Sequence, residues 1–192
     1  MLSLVDLNMD NEILRVAGTV IPATRSDEEF LCATGCSPEV IFDLNPDLMN
    51  VSAKVKKAHD AGKRLFIHVD LAKGIGKDES GIRFLKRIGI DGVISTKVNI
   101  IKMARECELC TVQRFFIVDS HSIATTVDAV KSSRPDMIEI MPGTVYKIIE
   151  RLKKMVDIPI IAGGLIESEQ EVSEALESGA SAISTGKREL WK

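Results

Sequence analysis

The chain has 192 residues, of which 45% are hydrophobic, and its 28 acidic and 25 basic side chains give a formal net charge of −3. That length suits one domain with a sizeable core, and the slightly acidic balance excludes a global attraction to nucleic acid or anionic membrane, so such binding would need a local basic patch. No apolar run approaches a membrane span and Met1 to Asp6 lacks the basic start of a signal peptide, so a cytoplasmic location is expected.

The first fifteen residues, with Leu4, Leu7, Ile13 and Leu14, are suited to cover one end of a domain. Gly18–Ala23 then reads as a strand, and Ser26-x-x-Glu29 as a capping box that opens a helix. Val40–Asp43 is the second strand, and Asn45-Pro46 gives an N-cap with proline at the first helical position. Further strands are expected at Leu65–Asp70, Gly92–Ser95, Thr111–Val118, Met137–Ile140, Pro159–Ala162 and Ala182–Ser184. Gly62, Gly89 and Gly179 stand where glycine ends a helix, and Ser168-x-x-Glu171 is a second capping box.

The strand centres recur about every 21 to 27 residues, the length of one strand, one helix and two loops. The strands are continuously apolar, as expected when both faces are covered. Eight such units predict a single (β/α)8 barrel of the TIM type over residues 1–192, whereas an open doubly wound sheet would leave two or three strands unexplained. Lys187 to Lys192 is too short for a full eighth helix, so the C-terminal helix is truncated. The apolar flank this exposes makes a homo-oligomer an expectation.

In such barrels the loops after strands seven and eight bind phosphate through backbone N–H groups. Here Gly163-Gly164 ends the seventh strand and Ser184-Thr185-Gly186 the eighth. The alternative is that these glycines only permit tight turns. Asp43, His68, Asp70, Ser95, Thr96, Lys97, Arg114, Asp119 and Glu139 fall at or near the carboxyl ends of other strands. Each also has a structural reading. Asp43 and Asp119 suit helix caps, Arg114 with Glu139 suits a buried ion pair, and His68 suits a satisfied core position. The spacings Cys32-x3-Cys36 and Cys107-x2-Cys110 are open to a zinc or redox reading, but no histidine flanks either pair and ordinary reduced thiols are expected.

Several longer stretches are specific as combinations. They are His68-Val69-Asp70-Leu71 with Gly74-Ile75 and Asp78-Glu79, Gly92-Val93-Ile94-Ser95-Thr96-Lys97, and Val112-Gln113-Arg114-Phe115-Phe116 with Asp119-Ser120. Pro135 to Gly143, Ala162-Gly163-Gly164-Leu165-Ile166, and Ser184-Thr185 with Leu190-Trp191 complete the set. From about Ile21 to Trp191 the chain resembles the glycerol uptake operon antiterminator regulatory proteins, the glycerol-3-phosphate-responsive antiterminators. The cysteine pairs lie outside that family's pattern, and Gly186 replaces a serine or other small residue.

The resemblance implies a bacterial regulator, not an enzyme, with glycerol 3-phosphate as effector and no cofactor. Loaded with effector, such a protein acts on the leader mRNA of glycerol-utilisation genes and promotes read-through of a terminator. Backbone donors at Gly164, Thr185 and Gly186 suit the phosphate, carboxylates at Asp43, Asp70 or Glu139 suit hydroxyls, and Lys97 suits either end. For RNA the weak candidates are Arg25, Lys73 and Lys77 on loops of the same face, with lysine groups on helices two and six as further possibilities. The alternative is an aldolase-, isomerase- or decarboxylase-like barrel enzyme acting on a small phosphorylated substrate, with Asp70-x-x-Lys73 as a proton-transfer pair.

Overall fold

Eight short parallel strands close in chain order, and the last pairs back with the first. The computed structural model describes residues 16–192, so the expected cover formed by the first fifteen residues lies outside the described residues. The strands are β1 (Val20–Thr24), β2 (Val40–Asp43), β3 (Arg64–His68), β4 (Gly92–Ser95), β5 (Cys110–Phe116), β6 (Met137–Met141), β7 (Ile160–Gly163) and β8 (Ala182–Thr185). The helices that follow the first seven are α1 (Asp27–Thr34), α2 (Val51–Asp60), α3 (Glu79–Arg87), α4 (Val98–Glu106), α5 (Ser120–Ser133), α6 (Tyr146–Lys153) and α7 (Glu169–Glu177). After β8 a single 3-10 turn, Arg188–Leu190, stands where a full barrel has its eighth helix. Among the described residues no helix is long and apolar enough to cross a membrane.

Strand periodicity sorts the core into layers, because successive side chains leave opposite faces of a strand. Ile21, Phe42, Phe66, Ile94, Val112 and Ile161 fill the barrel interior. Their neighbours Ile41, Leu65 and Val93 face outward onto Val55, Ile82 and Ile100 of the helices. Ile138, Ile160 and Ile183 do the same against Ile123, Ile149 and Ala175. Each such side chain, once fully buried, contributes about 1.5–3 kcal/mol of hydrophobic stabilisation. Both strand faces are therefore apolar, and this is why the strands read as continuous runs.

Helix punctuation follows the sequence with two corrections. Ser168 and Glu171 form the full reciprocal capping box, and Gly62, Gly89 and Gly179 follow their helices at φ of +69°, +90° and +103°. At α1, however, Ser26 accepts from the Glu29 N–H while the Glu29 carboxylate accepts from the Arg25 N–H. The larger correction is at Asn45-Pro46, which starts no helix. Asp43 accepts the Asn45 N–H, and Asp47 pairs as a parallel bridge with Lys73. The loops after β2 and β3 are thereby joined, and α2 begins only at Val51. β3 ends at His68 rather than Asp70, because Val69–Leu71 turns into a 3-10 helix. Asp119 is the N-cap of α5, the structural alternative for that residue.

Candidate functional site

The carboxyl ends of β7 and β8 are held together by side chains. The Thr185 hydroxyl donates to the Ile166 carbonyl at 2.7 Å and accepts the Lys187 N–H at 3.1 Å. The indole N–H of buried Trp191 donates to the Thr185 carbonyl at 2.8 Å, so the C-terminal turn clamps the β8 loop. Beyond β7, Gly164 and Leu165 take φ of +73° and +58°. Left-handed backbone at a leucine costs about 1 kcal/mol or more, and such strain gathers at ligand-holding turns.

Beside these loops lies a cavity of about 340 Å³, lined among others by Arg25, Arg114, Glu139, Gly164, Ser184 and Gly186. Alternation brings the charged residues there. Arg114 on β5 and Glu139 on β6 are register partners and point into the barrel above its apolar layers. Arg114 Nε donates to Glu139 Oε2 at 2.6 Å, and Ser184 Oγ donates to Glu139 Oε1 at 2.5 Å. Both oxygens of this fully buried carboxylate are thus engaged, and its work is to hold Arg114 and Ser184 in place. Gly163 belongs to the same assembly. A Cβ there would lie 2.5 Å from Glu139 Oε1 and 2.6 Å from Ser184 Oγ. Arg25 extends the inward-facing parity of β1, and its Nη1 lies 3.1 Å from where a Cβ on Gly186 would stand. Arg25, a weak RNA candidate by sequence, is exposed and its guanidinium sits against the β8 loop.

His68 lies near this group, 4% exposed, with Nδ1 lacking any hydrogen-bond partner. Burial first, and the Arg114 charge next, push its pKa down to about 4. The folded state therefore holds a neutral imidazole, whereas the unfolded chain titrates near 6.5. Stability from this group is complete above about pH 6.5 and drains as pH falls toward 4. Urea unfolding at pH 7 and at pH 4 should therefore show a larger loss for the wild type than for His68→Gln, by roughly 3 kcal/mol. Equal losses in the two proteins would contradict this reading of His68.

His68 does not itself line the cavity, and Asp43, Asp70 and Lys97 also separate from it. Asp43 faces outward from β2 and is fully buried under α2, where it accepts from Lys54 Nζ at 2.8 Å. Lys54 also pairs with Asp27 at 3.0 Å, and these two bonds raise its pKa although burial opposes them. Asp70 accepts from Ser95 Oγ, Thr96 N–H and Thr96 Oγ1 at 2.6, 2.8 and 2.7 Å. Burial alone would raise its pKa, but these bonds hold the carboxyl below the usual range. Asp70 thus fixes the β4 loop. Lys97 is exposed at the start of α4, and Lys73 and Lys77 are exposed on the β3 loop. All four cysteines are free thiols, and burial pushes the Cys110 thiol well up. Among the described residues no three His, Cys, Asp or Glu side chains converge as a metal site.

A larger cavity of about 670 Å³ runs beside the Arg188–Leu190 turn among the described residues. Its lining includes Gly18, Pro38, Val172, Glu39 and Glu169, with Lys192 at the chain end. Two carboxylates against one terminal lysine make it a poor anion site, so chemistry rather than size selects the cavity at β7 and β8.

Residues 20–191 match the family model described as glycerol-3-phosphate responsive antiterminator. The crystal structure of the glycerol uptake operon antiterminator regulatory protein of Listeria monocytogenes is 32% identical, with TM-score 0.86 over 90% of this chain and 94% of that one. A glycerol uptake operon antiterminator-related protein from Thermotoga maritima is also 32% identical, with TM-score 0.81 over 91% and 98% of the two chains. The uncharacterised Escherichia coli protein YgcP is 37% identical over 90% of this chain and 91% of its own length. Barrel enzymes such as the N-acetylmannosamine-6-phosphate 2-epimerase of Clostridium perfringens, at 12% identity and TM-score 0.70 over 91% and 88%, share the fold alone.

Proposed function

The chain belongs to the glycerol-3-phosphate responsive antiterminator family, and from that premise we propose that it senses glycerol 3-phosphate in the cavity between the β7 and β8 loops. Loaded with effector, it acts on the leader RNA of glycerol-utilisation genes so that transcription passes a terminator. The observation that carries the ligand reading is the convergence of two stapled glycine loops with Arg25 and Arg114 on one small cavity. A volume of about 340 Å³ is near the lower end for ligand pockets and suits a three-carbon phosphate.

The parts divide the ligand between them. Backbone N–H groups at Gly164 and Gly186 meet the phosphate oxygens, the Arg25 guanidinium supplies positive charge, and Arg114, its own charge balanced by Glu139, donates through the N–H groups that Glu139 leaves free. Glu139 is committed to Arg114 and Ser184, and Asp43 to Lys54, so neither is the hydroxyl acceptor. The unpartnered Nδ1 of His68 takes that role, because a buried polar atom without a partner is stabilised when a ligand hydroxyl reaches it.

This is a sensor and not a catalyst. The proton-transfer pair of the enzyme alternative needs an available Asp70, and three bonds hold that carboxylate in its ionised form. Purified protein incubated with glycerol 3-phosphate should leave the compound unchanged over hours, as followed by phosphorus NMR. Turnover on the order of 1 per second would instead establish an enzyme.

A further inference from the structure

Three of the helix cations that the sequence singles out are committed to carboxylates. Lys54 is buried between Asp43 and Asp27, Lys56 pairs with Asp60, and Lys154 pairs with Glu150. A different cluster stands on the flank between α4 and α5. Lys102 and Arg105 from α4, Lys131 from α5 and Arg134, the residue that caps α5, line one groove of about 450 Å³, with Glu106 as its sole carboxylate. All four cations are exposed, and among the described residues none of them makes an ion pair.

Helix ends explain part of this. A cation in the last turn is stabilised by the negative end of the helix, which accounts for Arg105 on α4 and Lys131 on α5. It does not account for four unpaired cations facing each other across one groove in a chain of net charge −3. Like charges held close destabilise the fold, and a bound polyanion relieves that repulsion.

We propose that the groove between α4 and α5 seats the phosphate backbone of RNA. The proposal rests on the reading above that the protein acts on a leader transcript. Its contacts would be sequence-independent and would position the RNA rather than read its bases. The groove is also joined to the ligand cavity. Ser133 in its wall donates to Gln113 Oε1 at 2.5 Å, and Gln113 precedes the cavity residue Arg114 on β5.

The test is a titration of the transcribed leader of the host's glycerol-utilisation operon across a salt series, with glycerol 3-phosphate present. It compares the full chain with a variant carrying Lys102→Gln, Arg105→Gln, Lys131→Gln and Arg134→Gln. The variant should lose affinity on the order of 100-fold, and its slope of log affinity against log salt should flatten by about 0.7–0.9 for each cation removed. Its binding of glycerol 3-phosphate should match the wild type, and its unfolding midpoint should not fall, because the repulsion leaves with the cations. Wild-type RNA affinity and slope in this variant would overturn the groove alone, and more so if neutralising Lys73 with Lys77, or Lys147 with Arg151, abolished binding. A wild type that binds no leader RNA at any effector concentration would overturn the groove together with the antiterminator reading.

Discussion

Replacing Arg114 with methionine is expected to lower folding stability by about 3–5 kcal/mol, because it strands the fully buried Glu139 carboxylate. Only the Ser184 hydroxyl would still donate to it. For a domain whose whole stability is typically about 5–15 kcal/mol, that is a large share. The double variant Arg114→Met with Glu139→Leu removes both charges and should regain most of the loss. Urea unfolding of the two variants checks this, and the double variant then separates folding from binding. It should fold cooperatively yet fail to bind glycerol 3-phosphate, since the cavity has lost one of its two guanidiniums. A double variant as unstable as the single would show that the pair is not the source of the loss.

Gly164→Val should abolish measurable binding of glycerol 3-phosphate, a loss of 100-fold or more, while unfolding stays cooperative. The φ of +73° at this position is strained for any β-branched side chain, at a cost of about 1–3 kcal/mol. The added Cβ would lie 2.6 Å from Met141 Cε, the far end of a flexible side chain that can give way, so the core stays intact and the backbone strain falls on the turn. The N–H groups proposed to bind phosphate move with the turn. Calorimetric titration beside a thermal melt reads both effects. Unaltered affinity in a folded Gly164→Val protein would remove the β7 loop from the site.

The barrel itself was legible because buried parallel strands leave a strong and repetitive trace. Eight apolar runs at a steady interval and glycines past the helix ends sufficed for strand number and order. The same continuity hid which way each side chain points. Asp43 and Arg25 both stand at carboxyl ends of strands, and only parity separates them. Phe42 and Leu44 belong to the interior, so Asp43 must face the helices, whereas Arg25 continues the inward series of Ile21 and Ala23. Counting parity from Phe42 and Ala23 gives the direction of each side chain. The N-cap reading of Asn45-Pro46 failed for a different reason. Its competitor was the bridge between Asp47 and Lys73, a pairing 26 residues apart that no local signal carries. The cations of the groove between α4 and α5 come in twos from separate stretches of chain, and neither pair stands out alone in the sequence.

Backbone amide NMR during a titration with glycerol 3-phosphate tests the central claim most directly. Gly164, Leu165, Gly186 and Lys187 should show the largest shifts, with the Arg114 side chain responding and the amino-terminal ends of the strands silent. Shifts confined to Gly18, Thr19 and Glu39 along the flank cavity, with the β7 and β8 loops unmoved, would contradict it.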